Sequence, residues 1–208
     1  MEIIAPGIEQ YMEEFYLAKD PVREEMERLA ETRHFPIVGP QVGRVLFMLA
    51  KAVRAQRIFE MGSGFGYSAY WFAKALPPDG KIYQTEGSQE NSDRAKDFFK
   101  RGKIDKKAEF LVGDALRLAD QVKGDFDIVF IDMNKEQYPE AYRKMKDRVK
   151  KGGVLIADNI FWSGEVLKET RDPETRGIKE FTRLLFRDPD YFATILPIRD
   201  GVAVGNRL

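Results

Sequence analysis

From Arg57 onward, short apolar runs alternate with longer segments in which apolar residues recur at helical spacing. Five runs read as strands, at 57–61, 81–86, 108–113, 127–132 and 153–157. Helical segments lie between them at 67–76, 88–102, 115–122 and 135–150. Repeated βα units predict a parallel sheet with helices on both faces. The tail changes pattern: a helix near 174–187 precedes two apolar runs, 192–198 and 202–205, joined through Arg199-Asp200-Gly201. Asp-Gly between apolar runs signals a hairpin, so the last strand should pair antiparallel with its predecessor. Upstream, Ile8, Tyr11, Met12, Phe15 and Tyr16 recur at roughly helical spacing. Asp20-Pro21 then reads as an N-cap and first-turn proline of a second helix through Glu31. Two prolines and a glycine interrupt the pattern over 35–40, and Val42, Val45, Leu46, Leu49 and Val53 predict a helix over 41–53. One domain over 1–208 is expected, with a helical extension and lid over 1–55 and a sheet core over 56–208.

Composition removes several kinds of chemistry. The 208 residues include no cysteine and one histidine, which excludes disulfides and thiolate sites and disfavours a histidine-rich zinc site. Lys plus Arg equals Asp plus Glu at 34 each, so no global field points to nucleic acid or to an acidic membrane. Met1-Glu-Ile-Ile-Ala-Pro6 has neither the basic nor the apolar region of an export signal, and no apolar run approaches spanning length. The expectation is a cytoplasmic protein with a small-molecule partner and neither nucleic acid nor membrane.

The chemistry gathers at the strand ends. After the first strand, Gly62, Gly64 and Gly66 alternate with larger residues, and Ser68 opens an apolar helix. A strand that meets a helix through such a turn offers backbone N–H groups and a positive helix end to a ligand. The spacing is Gly-x-Gly-x-Gly, and Tyr67 stands where a dinucleotide fingerprint needs its last glycine. Glu60, two residues before Gly62, would repel a pyrophosphate but suits an ammonium or sulfonium. Glu86, followed by Gly87, ends the second strand where an acid accepts hydrogen bonds from a ribose diol. Gly113-Asp114-Ala115 is placed to meet an adenine edge. Together these outline an adenosine cofactor carrying positive charge, S-adenosylmethionine, rather than NAD. Asp132, Asp158 and Asn159 end the fourth and fifth strands, and these hard oxygen donors suit Mg²⁺, with Ca²⁺ or Mn²⁺ possible. Asp and Asn also favour caps and turns, so two independent caps remain an alternative. Lys135 follows Asp132 by three residues, and a nearby dication would disfavour its ammonium form, as a general base requires.

These motifs resemble the metal-dependent O-methyltransferases of the catechol and caffeoyl-CoA type, from about Phe35 to the C-terminus. Phe59-Glu-Met-Gly-Ser-Gly-Phe-Gly-Tyr-Ser-Ala69 looks like that family's cofactor motif, Glu86 like its ribose acid, and Gly113-Asp114-Ala115 like its adenine-side turn. Ile131-Asp-Met-Asn-Lys-Glu-Gln-Tyr138 resembles its Asp-x-x-Lys-x-x-Tyr segment, which implies a metal ligand at Asp132 and the catalytic base at Lys135. Asp158-Asn159 would complete the metal site, and Trp162 and Val38 would line the acceptor pocket. The resemblance implies a Rossmann-like, doubly wound α/β fold. Its sheet would be mostly parallel and seven-stranded, with an antiparallel C-terminal hairpin strand and an N-terminal helical extension. It further implies a Mg²⁺-dependent transfer from S-adenosylmethionine to an aromatic hydroxyl acceptor, by a homodimer. Two departures, Met133-Asn134 in place of Ala-Asp and a 35–40 loop without methionine, fall beside the cofactor and acceptor pockets. A nicotinamide oxidoreductase, disfavoured by Tyr67 and Glu60, and a cofactor-binding module without catalysis are the rival readings.

Overall fold

The computed structural model describes residues 7–16 and 19–208. The segment 1–6, expected to lack an export signal, lies outside them, as do 17 and 18. Three helices come first: α1 (Ile8–Glu13), α2 (Pro21–Arg33) and α3 (Gly39–Ala52). The core follows as β1 (Arg57–Met61), α4 (Tyr67–Ala75), β2 (Lys81–Glu86), α5 (Gln89–Arg101), β3 (Ala108–Val112), α6 (Ala115–Gln121), β4 (Phe126–Ile131), α7 (Tyr138–Met145) and β5 (Val149–Ala157). The chain closes with α8 (Pro173–Arg187), β6 (Tyr191–Leu196) and β7 (Val202–Arg207). Asp20 caps α2 as its sequence suggests, its carboxylate accepting from the N–H groups of Val22 and Arg23 at 3.1 and 3.3 Å.

Seven strands form one sheet in the order β3-β2-β1-β4-β5-β7-β6. The first five are parallel, β7 is antiparallel to β5, and β6 is antiparallel to β7. This is the expected doubly wound, Rossmann-like sheet with its hairpin. Strand alternation divides the core in two. Ile58, Ile128, Phe130, Val154 and Ile156 pack under α3 and α4, whereas Phe59, Met61, Val129, Ile131 and Leu155 pack under α7 and α8. The strand order reverses between β1 and β4, so a crevice opens at their carboxyl ends.

Two segments differ from the pattern. Residues 135–150 are not one helix: a 3-10 turn spans Lys135–Gln137, α7 begins at Tyr138, and Val149 already belongs to β5. Pro139 lacks an N–H and fits only the first turn of a helix, which sets the start of α7. Val149 pairs with Phe126, and Lys150 meets Asp127 at 2.7 Å, which draws the chain into the sheet early. At the hairpin, β6 stops at Leu196 because Pro197 has no N–H for the ladder, and 197–201 form the connection. Among the described residues no helix is long and apolar enough to cross a membrane.

Candidate functional site

A cleft of about 600 Å³ lies at the carboxyl ends of the parallel strands. Gly62, Gly64, Ser68, Glu86, Gly87, Asp114, Ala115, Asp132, Lys135, Asp158, Asn159, Val38 and Trp162 all line it. Two candidates do not. Gly66 lies at the foot of α4, and Glu60 is fully buried. Glu60 shares strand parity with Ile58, so its carboxyl turns toward the α3 and α4 side of the sheet, and because it lies inside β1 rather than at its end it is covered by the start of α4. There the Ser68 hydroxyl donates to Glu60 Oε1, and among the described residues Glu60 Oε2 has no hydrogen-bond partner. Burial pushes this carboxyl up to about 8, and the charges of Asp132 and Glu86 add to the effect.

The glycine turn is packed against protein on most sides. Gly62, Gly64 and Gly66 have φ of 87°, 52° and 87°. A Cβ on Gly62 would strike the backbone of Asp132, one on Gly64 the Phe35 ring, and one on Gly66 Ala95 and Gln84. The turn's N–H groups are also largely engaged. Gly62 N–H donates to the Thr85 hydroxyl at 3.2 Å, Ser63 N–H to the Thr85 carbonyl at 2.9 Å, and Gly66 N–H to the Ser63 carbonyl at 2.8 Å. Thr85 returns its hydroxyl proton to the Glu60 carbonyl at 2.9 Å. Thr85 therefore organises the turn; its buried place on β2 beside Met61 was the available signal, visible only once the strands are paired.

Along the next two strand ends the cleft opens. Glu86 Oε1 accepts from Ser88 N–H at 2.9 Å and from the Asn91 amide at 3.3 Å, which fixes the carboxylate at the wall. A Cβ added to Gly87 would meet nothing within 4 Å. Asp114 serves twice: Oδ1 caps α6 by accepting from Arg117 N–H at 2.9 Å, and the residue still faces the cleft.

The other half holds the charged cluster. Asp132 stands at the end of β4, and Asp158 at the end of the adjacent β5. Lys135, only 7% exposed, places Nζ 2.8 Å from Asp132 Oδ1 and 5.0 and 5.8 Å from the rings of Tyr138 and Trp162. Burial and the negative charge of Asp132 push the Asp158 carboxyl up, while the Asn159 N–H, Lys135 and Arg199 act against this. Tyr138, buried against Phe181, donates to the Asp158 carbonyl at 3.1 Å and the Ile131 carbonyl at 3.3 Å, joining the two strand ends. Among the described residues no three His, Cys, Asp or Glu side chains form a metal cluster. The donor set here is two carboxylates and one amide, all hard oxygens, which fits Mg²⁺ or Ca²⁺ and not zinc or copper.

The cleft wall also includes Gln137 and Glu174, which the motifs do not mark. Glu174 arrives on α8, whose Gly177 packs directly on the backbone of Lys135. The loop before α3 packs the Phe35 ring 5.0 Å from Phe65, with Val38 buried at its end.

Known proteins share this architecture. The O-methyltransferase family model matches residues 12–208. A caffeoyl-CoA O-methyltransferase of Medicago sativa is 31% identical over 179 residues, covering 80% of this chain and 72% of that protein. The crystal structure of the O-methyltransferase TomG of Streptomyces achromogenes, in complex with SAM, superposes with a TM-score of 0.90 at 26% identity, covering 97% and 96% of the two chains. An O-methyltransferase of Bacillus cereus, in complex with SAH, gives 0.88 at 27% identity over 97% of each chain. These likenesses set aside the oxidoreductase and the module without catalysis. A methyl-transferring enzyme is what the resemblance of the cofactor and strand-end motifs implies, and this chain belongs to the O-methyltransferase family.

Proposed function

We propose that this enzyme transfers the methyl group of S-adenosylmethionine to one hydroxyl of a vicinal aromatic diol, with a divalent cation held by Asp132, Asp158 and Asn159. Mg²⁺ is the first choice and Ca²⁺ or Mn²⁺ the alternatives. Residues 1–208 act as one domain, with 1–55 as extension and lid. One observation carries the reading: the cleft wall bears Glu86, Asp114, Asp132, Asp158 and Glu174 against Lys135 as its lysine or arginine. Such a wall attracts a cationic cofactor and a dication together. The SAM-bound and SAH-bound relatives and the caffeoyl-CoA enzyme support the same donor and an aromatic acceptor.

S-adenosylmethionine supplies an electrophilic methyl carbon. The cation supplies Lewis acidity toward the acceptor hydroxyls. The chain's own groups do the rest. Glu86 accepts from the ribose hydroxyls, and Gly113-Asp114-Ala115 faces the base, next to the open edge of Gly87. Ser68, backed by Glu60, and the turn at Gly62 and Gly64 receive the methionine end. Lys135 takes the acceptor's proton at Nζ, a role that positioned general bases fill at about 10²–10⁴-fold in rate. Val38 and Trp162 flank the acceptor ring.

Screening catechols, flavonoids and acyl-CoA phenols with and without EDTA tests the proposal. Methylation of at least one vicinal diol, lost in EDTA and restored by Mg²⁺, is expected. Equal turnover of monophenols in EDTA would overturn it.

A further inference from the structure

The connection between β6 and β7 does more than close a hairpin. The neighbouring loop after β5 carries Asn159, Trp162 and Ser163 at φ of 57°, 47° and 52°. Side-chain-bearing residues rarely adopt this region, and they stay there only where the surroundings hold them. The holding contacts come from the hairpin connection. Ile160 N–H donates to the Gly201 carbonyl at 3.0 Å, and Phe161 N–H donates to the Asp200 carbonyl at 2.8 Å. Ser163 N–H donates to Asp200 Oδ1 at 2.7 Å. Gly201, at φ 83°, lies so close to the Phe161 ring that a Cβ would overlap it. Of the three hydrogen bonds, one alone uses a side chain. Asp200 is thus the position where the clamp can be opened while the hairpin backbone stays intact.

We propose that Asp200 is a positioning residue for the acceptor half of the site. Its carboxylate keeps Ser163 left-handed, and that fixes the loop 158–163 so that Asn159 and Trp162 face the cleft. Asp200 is not part of the cleft wall, so it acts through this backbone and not on the reactants. One of its two readouts rests on Asp158 and Asn159 being metal ligands; the other does not. Groups that orient metal ligands typically change metal affinity by about 10–100-fold when removed.

The test compares Asp200→Ala, Asp200→Asn and the double variant Asp200→Ala with Ser163→Gly. Glycine takes positive φ without steric penalty, so it replaces what the carboxylate does for Ser163. Calorimetric titrations with Mg²⁺ and with S-adenosylmethionine are run beside amide hydrogen exchange at Ile160 and Phe161. Asp200→Ala should weaken Mg²⁺ binding about tenfold or more, speed exchange at both amides and leave cofactor affinity unchanged. Asp200→Asn, which keeps a side-chain carbonyl acceptor, should stay near wild type, and Ser163→Gly should recover most of what Asp200→Ala loses. Unchanged Mg²⁺ affinity in Asp200→Ala, a parallel loss of cofactor affinity, or no recovery by glycine would overturn the assignment. If the wild type itself binds no Mg²⁺, the metal reading fails. The amide exchange then decides on Asp200 alone: protection lost in Asp200→Ala and regained with glycine supports it, and unaltered protection refutes it.

Discussion

On the glycine-turn side of the cleft the wall is held by backbone atoms, with Gly62 and Ser63 bonded to Thr85 and a Cβ excluded by Asp132, Phe35 and Ala95. On the hairpin side it is held by charged side chains and by a loop in left-handed conformations, clamped from a second loop. The first construction leaves little freedom, because its hydrogen bonds run to β2 and each glycine is closed in by a neighbouring strand end, loop or helix. The second can change with a few side chains while the sheet stays as it is. Binding of a fixed cofactor suits the first, and recognition of a variable acceptor suits the second.

The sharpest way to break this comparison is to damage the charged side alone. Asp158→Ala should lower kcat/KM by about 10³-fold, the order found when a group stabilising developing charge is removed. Calorimetry should show cofactor affinity essentially intact in the same variant. Cofactor affinity lost in step with activity would mean that the two halves are one unit.

The reverse experiment strikes the backbone-built side. Thr85→Val keeps the shape but removes a buried hydroxyl that accepts from Gly62 N–H and donates to the Glu60 carbonyl. Stranding both partners should cost about 1–3 kcal/mol, a fall in Tm of roughly 2–4 °C for each kcal/mol in a chain of this size. Cofactor affinity should fall with it, and Mg²⁺ affinity should hold. A loss confined to Mg²⁺ would invert the assignment of roles.

The two sides also differ in how far the sequence exposes them. The strand ends are legible, because apolar runs bounded by turn residues mark Glu86, Asp114, Asp132 and Asp158, and each lies in the cleft. Glu60 looks equivalent in the chain, and the strand register gives it the same parity as Glu86, Asp132 and Asp158; it differs by lying inside β1 rather than at a strand end, and so it is buried. The glycines are legible as a turn but not in their reason. Spacing suggests room for a ligand, whereas a side chain at Gly62 or Gly66 would meet protein. Thr85 carries no motif, and Asp200 is marked only as a hairpin residue, because their partners are 23 and 37 residues away and meet only when the sheet is assembled. The break in 135–150 is hidden for a similar reason: Val149 leaves the helix to pair with Phe126, a contact that helical periodicity cannot register.

The smallest effect is the one that asks whether charge is also stored beneath the glycine turn. Glu60 has its carboxyl raised by burial to about 8, from an ordinary value of 4.5. Between those values the folded protein holds a proton that the unfolded chain has released. Stability is therefore greatest below the unfolded value and declines as pH rises toward about 8, beyond which it levels off. Glu60→Gln mimics the protonated form and removes this slope. Its Tm without cofactor should match wild type near pH 5 and exceed it by a few degrees near pH 8. A cationic cofactor reverses the preference, because it favours the ionised carboxylate. Wild-type affinity for S-adenosylmethionine should then climb with pH over the same range, and the variant's should stay flat. Parallel pH profiles of the two proteins, in Tm and in affinity, would show that Glu60 serves only to orient Ser68 and that the backbone-built side holds its cofactor without charge.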